Sequence, residues 1–150
     1  MKIALASDHG GYEIKINIAE YLEENGYAFH DFGSGPGDKV DYVDFGVKTL
    51  QAVVAGKYDR SILVCGTGIG MSMVANKFKG IRAALCCDKY MAEMSRQHNN
   101  ANCLTLGGRI LSRDQALLIV QTWLQEEFEG GRHQRRLDKI EALEDINFKS

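Results

Sequence analysis

The feature that most constrains this 150-residue chain is an apolar run, Arg60–Cys65, that ends directly in Gly66, Gly68 and Gly70. A short apolar run without alternation is typical of a strand that is buried on both faces of a parallel sheet. Residues 71–77 can begin a helix, and glycine between a strand and a helix allows the backbone to approach a ligand closely. Unpaired N–H groups at a helix N-terminus attract anions. The pattern therefore predicts a strand, an anion-binding loop and a helix in succession.

The rest of the chain alternates strand-like and helix-like segments without an internal linker. Ile14, Ile18 and Leu22 recur at helical spacing, and Ser112 with Gln115 has the pattern of a capping box. Strands that alternate with helices indicate a parallel sheet covered on both faces. We therefore expect one α/β domain over residues 1–150, a Rossmann-like three-layer α/β/α sandwich with a five-stranded parallel sheet. The predicted strands are Lys2–Ala6, Ala28–Asp31, Arg60–Cys65, Arg82–Cys87 and Asn102–Leu106, and the later predicted helices start after Asp41, Asp88 and Ser112 and cover Gln134–Asp145.

Charge and cysteine usage exclude several classes of protein. A net charge of −2 argues against nucleic-acid binding, which needs a basic face. No apolar run approaches the roughly 20 residues that span a bilayer, and Asp8 comes too early for a secretory signal. We expect a cytoplasmic protein without membrane contact. Cysteines at Cys86, Cys87 and Cys103 lack zinc or thioredoxin spacing, which favours small buried hydrophobic residues.

Ligands of parallel α/β sheets bind outside the carboxyl ends of the strands, so the residues that follow each strand are the candidates. Asp8 and His9 follow the first strand, and Arg109 follows the fifth. Asp8 could equally cap the next helix. His98 and Asn99 fall at the far end of the helix between the fourth and fifth strands, so they can reach the site only from a second subunit. His98 alone could be a solvated helix C-cap.

Two further features bear on chemistry. A thiol at Cys65 lies where the helix dipole favours its thiolate. Arg132 and Arg136 share one side of the last helix, and Arg136 falls between Ile140 and Leu143 on the helical wheel. A guanidinium group beside an apolar stripe suits a phosphate, whereas a solvated face or an ion pair with Glu144 is the alternative.

Taken in order, these residues match a known pattern along nearly the whole chain. The chain resembles the ribose-5-phosphate isomerase B group of the ribose/galactose-phosphate isomerase family, which interconverts aldose and ketose phosphates, chiefly ribose 5-phosphate and ribulose 5-phosphate, without metal or cofactor. Each motif is weak singly, whereas their order and spacing are very specific. The matching motifs are Ser7–Gly11, Asp41-Tyr42, Cys65–Gly70, Ala75–Lys77, Gly80–Ala83, Ser95–Asn99 and Gly130–Arg136.

The resemblance implies a role for each matching residue. Cys65 corresponds to the base that moves a proton between C1 and C2, and His98 to the group that opens the furanose ring. Thr67 and the surrounding backbone are expected to hold the enediolate oxygens. The remaining residues are expected to bind substrate: Asp8, His9, Tyr42, Gly66, Gly68, Ile69, Gly70, Asn99, Arg109, Arg132 and Arg136.

The resemblance also carries expectations about assembly and specificity. Family members are dimers or larger with active sites between subunits, so we expect a homodimer or a dimer of dimers with the last helix, about 134–145, at the interface. Relatives that use an acidic base place it directly after the glycine loop, where this chain has Met71, which favours the cysteine type. Six-carbon substrates such as allose or galactose 6-phosphate remain an alternative.

The rival from another class is a nucleotide-binding module. Gly66, Gly68 and Gly70 are similar to a dinucleotide fingerprint, and Asp88 lies at a suitable distance for a ribose hydroxyl. The usual third glycine position, however, is Met71. A purely structural role leaves the Cys65 loop and the two arginines unexplained.

Overall fold

The computed structural model describes residues 1–148 and contains one five-stranded, fully parallel sheet. Its order, β2-β1-β3-β5-β4, confirms the predicted sheet and adds the strand arrangement that the pattern did not contain. The predicted domain extends to residue 150, so its last two residues lie outside the described part. The strands are β1 (Lys2–Ser7), β2 (Ala28–Asp31), β3 (Arg60–Cys65), β4 (Ala83–Leu85) and β5 (Cys103–Gly107).

Five of the six helices cover the two faces of the sheet and give the three predicted layers. One apolar cluster joins α1, α4 and α5 to one face through residues such as Ile18, Ala92 and Trp123. The other cluster joins α2 and α3 to the opposite face through Leu50 and Met71. The helices are α1 (Tyr12–Glu24), α2 (Tyr42–Val54), α3 (Ile69–Ala75), α4 (Lys89–Gln97), α5 (Arg113–Gln125) and α6 (Arg132–Asn147), and a 3-10 turn covers His9–Gly11.

The predicted helix starts are confirmed to different degrees. Ser112 and Gln115 form a reciprocal capping box at α5, which satisfies two otherwise free N–H groups. Asp88 caps α4, since its Oδ1 accepts from the Met91 amide at 2.8 Å. Asp41 occupies the N-cap position of α2 but its side chain makes no capping bond. The helix predicted from Met71 starts two residues earlier, at Ile69.

The fourth strand is shorter than predicted. It covers Ala83–Leu85 because it lies at the sheet edge with β5 as its one partner, and because the Arg82 amide donates to the Asn102 side chain at 2.7 Å. The chain leaves the sheet before Cys87, whose side chain is exposed, so the prediction that Cys87 is buried was wrong.

The other two cysteines of that prediction lie in the core. Burial raises the pKa of Cys86 to about 11 and that of Cys103 to about 12. Both thiols therefore stay protonated and uncharged near neutral pH, which agrees with their predicted role as small buried apolar residues. All four cysteines are free thiols.

The last helix lies against the β4 edge of the sandwich with most of its surface exposed. Of its side chains only His133 and Leu137 are buried. Leu143 is 57% exposed and Ile146 is 73% exposed, although both are apolar. The predicted range 134–145 lies inside this longer helix. Within residues 1–148, no helix combines the length and apolar character needed to cross a membrane.

Candidate active site

The sheet order places the predicted site residues where the chain reverses its direction of winding. In the sheet, β1 has β2 on one side and β3 on the other, so the connection after β2 crosses back over β1. The carboxyl ends of β1 and β3 therefore border the crevice in which open α/β sheets bind ligands. Asp8 and His9 follow β1 at this crevice, and the loop from Gly66 follows β3.

Three loops meet at this edge through their backbones. The Gly108 amide donates to the Cys65 carbonyl at 2.7 Å, and the Arg109 amide donates to the Gly66 carbonyl at 3.0 Å. A Cβ atom on Gly108 would lie 2.5 Å from the Gly10 carbonyl oxygen, and one on Gly10 would lie 3.2 Å from the Gly66 Cα. Side chains cannot enter these contacts, so the loops after β1, β3 and β5 are held in fixed relation.

The sulfur of Cys65 receives a backbone hydrogen bond. The Gly68 amide donates to Cys65 Sγ at 3.2 Å, a contact that strengthens when the sulfur carries negative charge. Gly68 reaches this geometry with a φ of +80°, in the region that glycine tolerates. Cys65 is 4% exposed, so the thiol lies beneath the loop at the base of the crevice.

The rest of the loop offers hydrogen-bond donors. The Ile69 amide donates to Thr67 Oγ1 at 3.2 Å, which leaves the Thr67 hydroxyl hydrogen free to donate elsewhere. Within residues 1–148, the amides of Thr67 and Gly70 donate to no protein acceptor. The sequence assigned every residue from Gly66 to Gly70 to the substrate, but the amides of Gly68 and Ile69 already have partners within the loop. Tyr42 packs against Gly70, where a Cβ would lie 2.6 Å from the phenol ring.

Asp8 and His9 have defined local contacts. Asp8 Oδ1 accepts from the Gly11 amide at 3.1 Å, so Asp8 caps the 3-10 turn as the alternative interpretation proposed. Its second carboxylate oxygen is not used by that bond. His9 Nδ1 accepts from the Val40 amide at 3.3 Å, which requires the ring proton on Nε2. His9 therefore presents an N–H donor.

A cavity of about 440 Å³ lies beside these loops. Arg109 borders it, and its guanidinium group lies over the Gly66 backbone, where a Cβ would be 3.4 Å from Nη1. The cavity is large enough for a sugar phosphate, and its charged lining consists of the cations Arg109 and Lys39 and the carboxylates Glu13 and Asp38. The residues around it are His9, Gly10, Tyr12, Glu13, Gly35, Gly37, Asp38, Lys39, Gly108 and Arg109.

The remaining predicted residues lie elsewhere in the same chain. Since α4 connects two parallel strands, it runs back from the carboxyl edge of the sheet, and His98 at its end lies on the opposite edge from Cys65. Asn99 follows directly, and Arg132 and Arg136 are exposed on the first turns of α6. A single chain thus groups the predicted residues into two sets. His98, Asn99, Arg132 and Arg136 do not join the Cys65 loop.

Arg132 and Arg136 do not use Glu144 as an ionic partner. The Glu144 carboxylate instead accepts from the Gly80 amide at 3.0 Å. Neither arginine forms an ion pair among residues 1–148. Of the two alternatives to anion binding, the internal ion pair is therefore absent from the described structure, and the solvated helix face remains.

The corner formed by the end of α4 and the start of α6 contains two residues that the sequence analysis did not assign, His133 and Glu129. The His133 ring stacks on the His98 ring with centroids 4.0 Å apart and 13° between the planes. Burial, followed by the nearby charges of His98 and Arg132, lowers the pKa of His133. Helical spacing could have revealed His133, because it precedes Leu137 by one turn on the buried stripe of α6.

His98, Glu129 and His133 are also the one group of potential metal ligands among residues 1–148. A metal bound by an imidazole lies in the plane of the ring. The two rings here are stacked and nearly parallel, so one ion cannot lie in both planes. The orientation of the two rings therefore argues against a metal centre at these three residues.

Comparisons with known proteins agree with this geometry. The model of the ribose/galactose isomerase family matches residues 3–140. The chain belongs to that family. It is 53% identical to ribose-5-phosphate isomerase B of Clostridium thermocellum, over 97% of this chain and 99% of that one, and the two structures superpose with a TM-score of 0.95.

Two further family members that this chain resembles carry names of different sugar phosphate isomerases. It is 43% identical to ribose-5-phosphate isomerase B of Escherichia coli, over 95% of this chain and 96% of that protein. It is 40% identical to D-erythrulose-4-phosphate isomerase of Pectobacterium atrosepticum, over 93% of both chains. The family resemblance expected from the motifs is confirmed.

The strand order argues against a dinucleotide-binding site. In such sites the acidic residue for the ribose follows the strand that neighbours the glycine loop's own strand. Asp88 follows β4, which β5 separates from β3. The Asp88 carboxylate is also engaged in capping α4. The nucleotide-binding alternative therefore has no support in this fold.

Proposed function

We propose that this family member is an aldose–ketose isomerase that interconverts ribose 5-phosphate and ribulose 5-phosphate, with Cys65 as the base. The observation that carries the proposal is the hydrogen bond from the Gly68 amide to Cys65 Sγ at the carboxyl edge of β3. It occurs in a chain whose relatives are named ribose-5-phosphate isomerase B.

In this mechanism Cys65 moves one proton between neighbouring carbons. The thiolate removes the C2 proton of the open aldose, and the electron pair of that C–H bond forms the C1–C2 double bond of an enediolate. As this happens the C1 carbonyl electron pair moves onto O1. The O2 hydroxyl proton then passes to O1 and the thiol returns its proton to C1, which leaves a hydroxyl at C1 and the ketone at C2. The Gly68 amide stabilises the sulfur whenever it is negative, because its position is fixed before reaction.

Negative charge on the enediolate oxygens needs donors that are already oriented. The Thr67 hydroxyl and the amides of Thr67 and Gly70 supply such donors beside Cys65. A carbon acid next to a carbonyl is very weak, and this stabilisation lowers the barrier to its ionisation. Tyr42 covers the Gly70 side of the loop and borders the sugar.

The phosphate and the closed ring are handled by the other predicted residues. Arg109 and the Nε2–H of His9 offer a cation and a donor at the cavity, and Asp8 can accept from a sugar hydroxyl. We propose that a second copy of the chain supplies His98, Asn99, Arg132 and Arg136. His98 then opens the furanose ring, Asn99 binds the sugar, and the arginines bind the phosphate with their guanidinium forks.

A homodimer explains why these groups lie apart in one chain. Apolar side chains of α6, including Ile140, Leu143 and Ile146, are exposed beside the β4 edge. A groove of about 430 Å³ between α6 and β4 contains Asn99, Leu143 and Ala84. A second copy placed there would cover this apolar surface and bring its recognition residues to a neighbouring site. The free thiols fit our further proposal of a cytoplasmic location.

The activity is tested by coupled assays of the purified protein with ribose 5-phosphate, allose 6-phosphate and galactose 6-phosphate, each with and without a chelator. We expect ribose 5-phosphate to have the highest kcat/KM and the chelator to leave the rate unchanged. A higher kcat/KM for a six-carbon substrate would reassign the substrate. Loss of activity with the chelator would contradict a metal-free mechanism.

Shared sites are tested by mixing two variants. Chains with Cys65→Ala and chains with His98→Asn are unfolded together, refolded, and assayed with ribose 5-phosphate. If sites lie between subunits, mixed dimers contain one intact site, and about a quarter of wild-type activity returns for random pairing of two chains. If each chain contains a whole site, the mixture stays as inactive as its components.

A further inference from the structure

The His133 ring occupies a position that stability alone does not explain. It is 4% exposed and its Nε2 has no hydrogen-bond partner in the described structure. A buried nitrogen without a partner weakens folding, so phenylalanine would fill the same space at lower cost. The side chain nevertheless stacks squarely on His98, with a centroid separation of 4.0 Å.

Glu129 lies beside both rings. Its Oε2 is 3.5 Å from His133 Nε2 and 4.0 Å from His98 Nε2, near enough for charge to act and too far for a good hydrogen bond. Its backbone amide donates to the Gln97 carbonyl at 3.0 Å, which fixes the Glu129 main chain beside the residue before His98. One carboxylate therefore faces two imidazoles from a fixed backbone position.

Other charged groups surround this corner without occupying the same position. Arg132 and Arg136 come from α6, and the charges of both disfavour protonation of His133. Arg96 of α4 is engaged with the Ala101 carbonyl at 2.7 Å, and Glu126 after α5 accepts from the Gln97 side chain at 2.6 Å. Glu129 is therefore the carboxylate in direct charge contact with His98.

We propose that Glu129 and His133 are positioning residues for His98, holding its ring plane and stabilising it when it takes up a proton. The inference rests on the proposed function, in which His98 opens the sugar ring. Neutral His98 accepts the proton of the anomeric hydroxyl and gives a proton to the ring oxygen as the C1–O bond breaks, so no net proton is consumed. The Glu129 carboxylate stabilises the imidazolium between those two transfers, in the manner of a carboxylate behind a catalytic histidine.

His133 has two effects on this arrangement. Its stacked ring fixes the plane of His98, and its Nε2 faces the Glu129 carboxylate and restrains it. The lowered pKa of His133 keeps that ring neutral near pH 7, so it does not repel a proton on His98. Replacing Glu129 or His133 should therefore change the ring-opening activity of His98, whereas a pure packing role would change only stability.

The first test replaces the charge of Glu129. Glu129→Gln is compared with Glu127→Gln, an exposed residue of the same loop, by measuring kcat/KM for two substrates. Ribose 5-phosphate is mostly a closed ring, whereas D-erythrulose 4-phosphate cannot close a furanose ring because its terminal hydroxyl carries the phosphate. We expect Glu129→Gln to lower kcat/KM about tenfold for ribose 5-phosphate and less than about twofold for D-erythrulose 4-phosphate. The control should match the wild type.

The second test separates a chemical from a packing role. His133→Phe keeps a stacked ring and removes the nitrogen that faces Glu129. We expect about a tenfold loss that is again selective for ribose 5-phosphate, and a double variant no worse than either single one, because both changes interrupt one interaction. A wild-type rate for His133→Phe, or an equal loss on both substrates for either variant, would overturn the inference. A wild-type protein inactive on both sugars would instead overturn the proposed function.

Discussion

The Cys65 loop and the α4–α6 corner differ in how far one chain completes them. At the loop, glycine backbones contact each other directly and the sulfur already has its hydrogen-bond donor. At the corner, Arg132 and Arg136 are exposed without ionic partners in the described residues, and the buried His133 nitrogen lacks a hydrogen bond. In the proposed mechanism, the groups for proton transfer lie within one chain, whereas the groups that recognise the closed, phosphorylated sugar come from a second copy.

The largest expected effect comes from removing the sulfur at the complete site. Cys65→Ala should lower kcat by about a thousandfold or more in both directions, because no other group replaces the base. The melting temperature should fall by only about 2–4 °C. Cys103→Ala is the matched control, since that buried thiol has a pKa of about 12 and should affect stability without affecting turnover. Near-normal turnover of Cys65→Ala would remove Cys65 as the base.

A second change tests whether the loop depends on its backbone geometry. Gly68→Ala forces a side chain into a φ of +80° and brings Cβ within 2.5 Å of Leu85 Cδ1 and 2.9 Å of the Leu106 backbone. Strain and crowding together should cost about 3 kcal/mol in the free energy of unfolding and should lower kcat as well. Gly56→Ala shares the positive φ, but no atom lies near its Cβ, so it should cost about 1 kcal/mol and leave kcat unchanged. Equal unfolding free energies for the two variants would show that the loop is not tightly packed.

A third change addresses the incomplete corner. Arg136→Met should raise KM for ribose 5-phosphate about tenfold or more while kcat changes little, because a phosphate loses its guanidinium contact. Arg135→Met, an exposed neighbour, is the control and should leave KM unchanged. Should both variants raise KM equally, the effect would reflect the overall charge of the helix rather than a phosphate site.

The smallest expected effect is on stability in mild acid. The pKa of His133 is lowered in the folded protein relative to 6.5, so the unfolded chain binds this proton first. This contribution to stability is complete above pH 6.5 and falls as the pH decreases from there toward the folded-state pKa. Chemical denaturation of the wild type and His133→Phe at several pH values should therefore show a larger loss on acidification for the wild type. Parallel curves would mean that His133 does not titrate differently on folding.

Local signals predicted most of the fold. The capping box at Ser112, the cap at Asp88 and the buried strand before Cys65 each depend on neighbouring residues, and each is confirmed. The short β4 and the exposed Cys87 could not be predicted in this way, because both follow from the position of β4 at the sheet edge. Strand order depends on contacts between segments that are far apart in sequence.

The candidate site shows the same division. The Cys65 loop could be located because a strand, glycines and a helix are adjacent in sequence. Glu129 and His133 were missed because their relation to His98 arises from the packing of α6 on the end of α4, across about thirty residues of chain. That Asp8 would use one oxygen for a cap, and that Gly68 and Ile69 would use their amides within the loop, also requires coordinates.

The contact between Gly10, Gly66 and Gly108 limits where this enzyme can be redesigned. Libraries that vary Gly10 or Gly108 would mostly yield damaged proteins, since a methyl group added at either position meets main-chain atoms of an adjoining loop. Variation aimed at a longer or shorter sugar is better directed to Tyr12 and Lys39, which also line the cavity and are separate from the three contacting glycines.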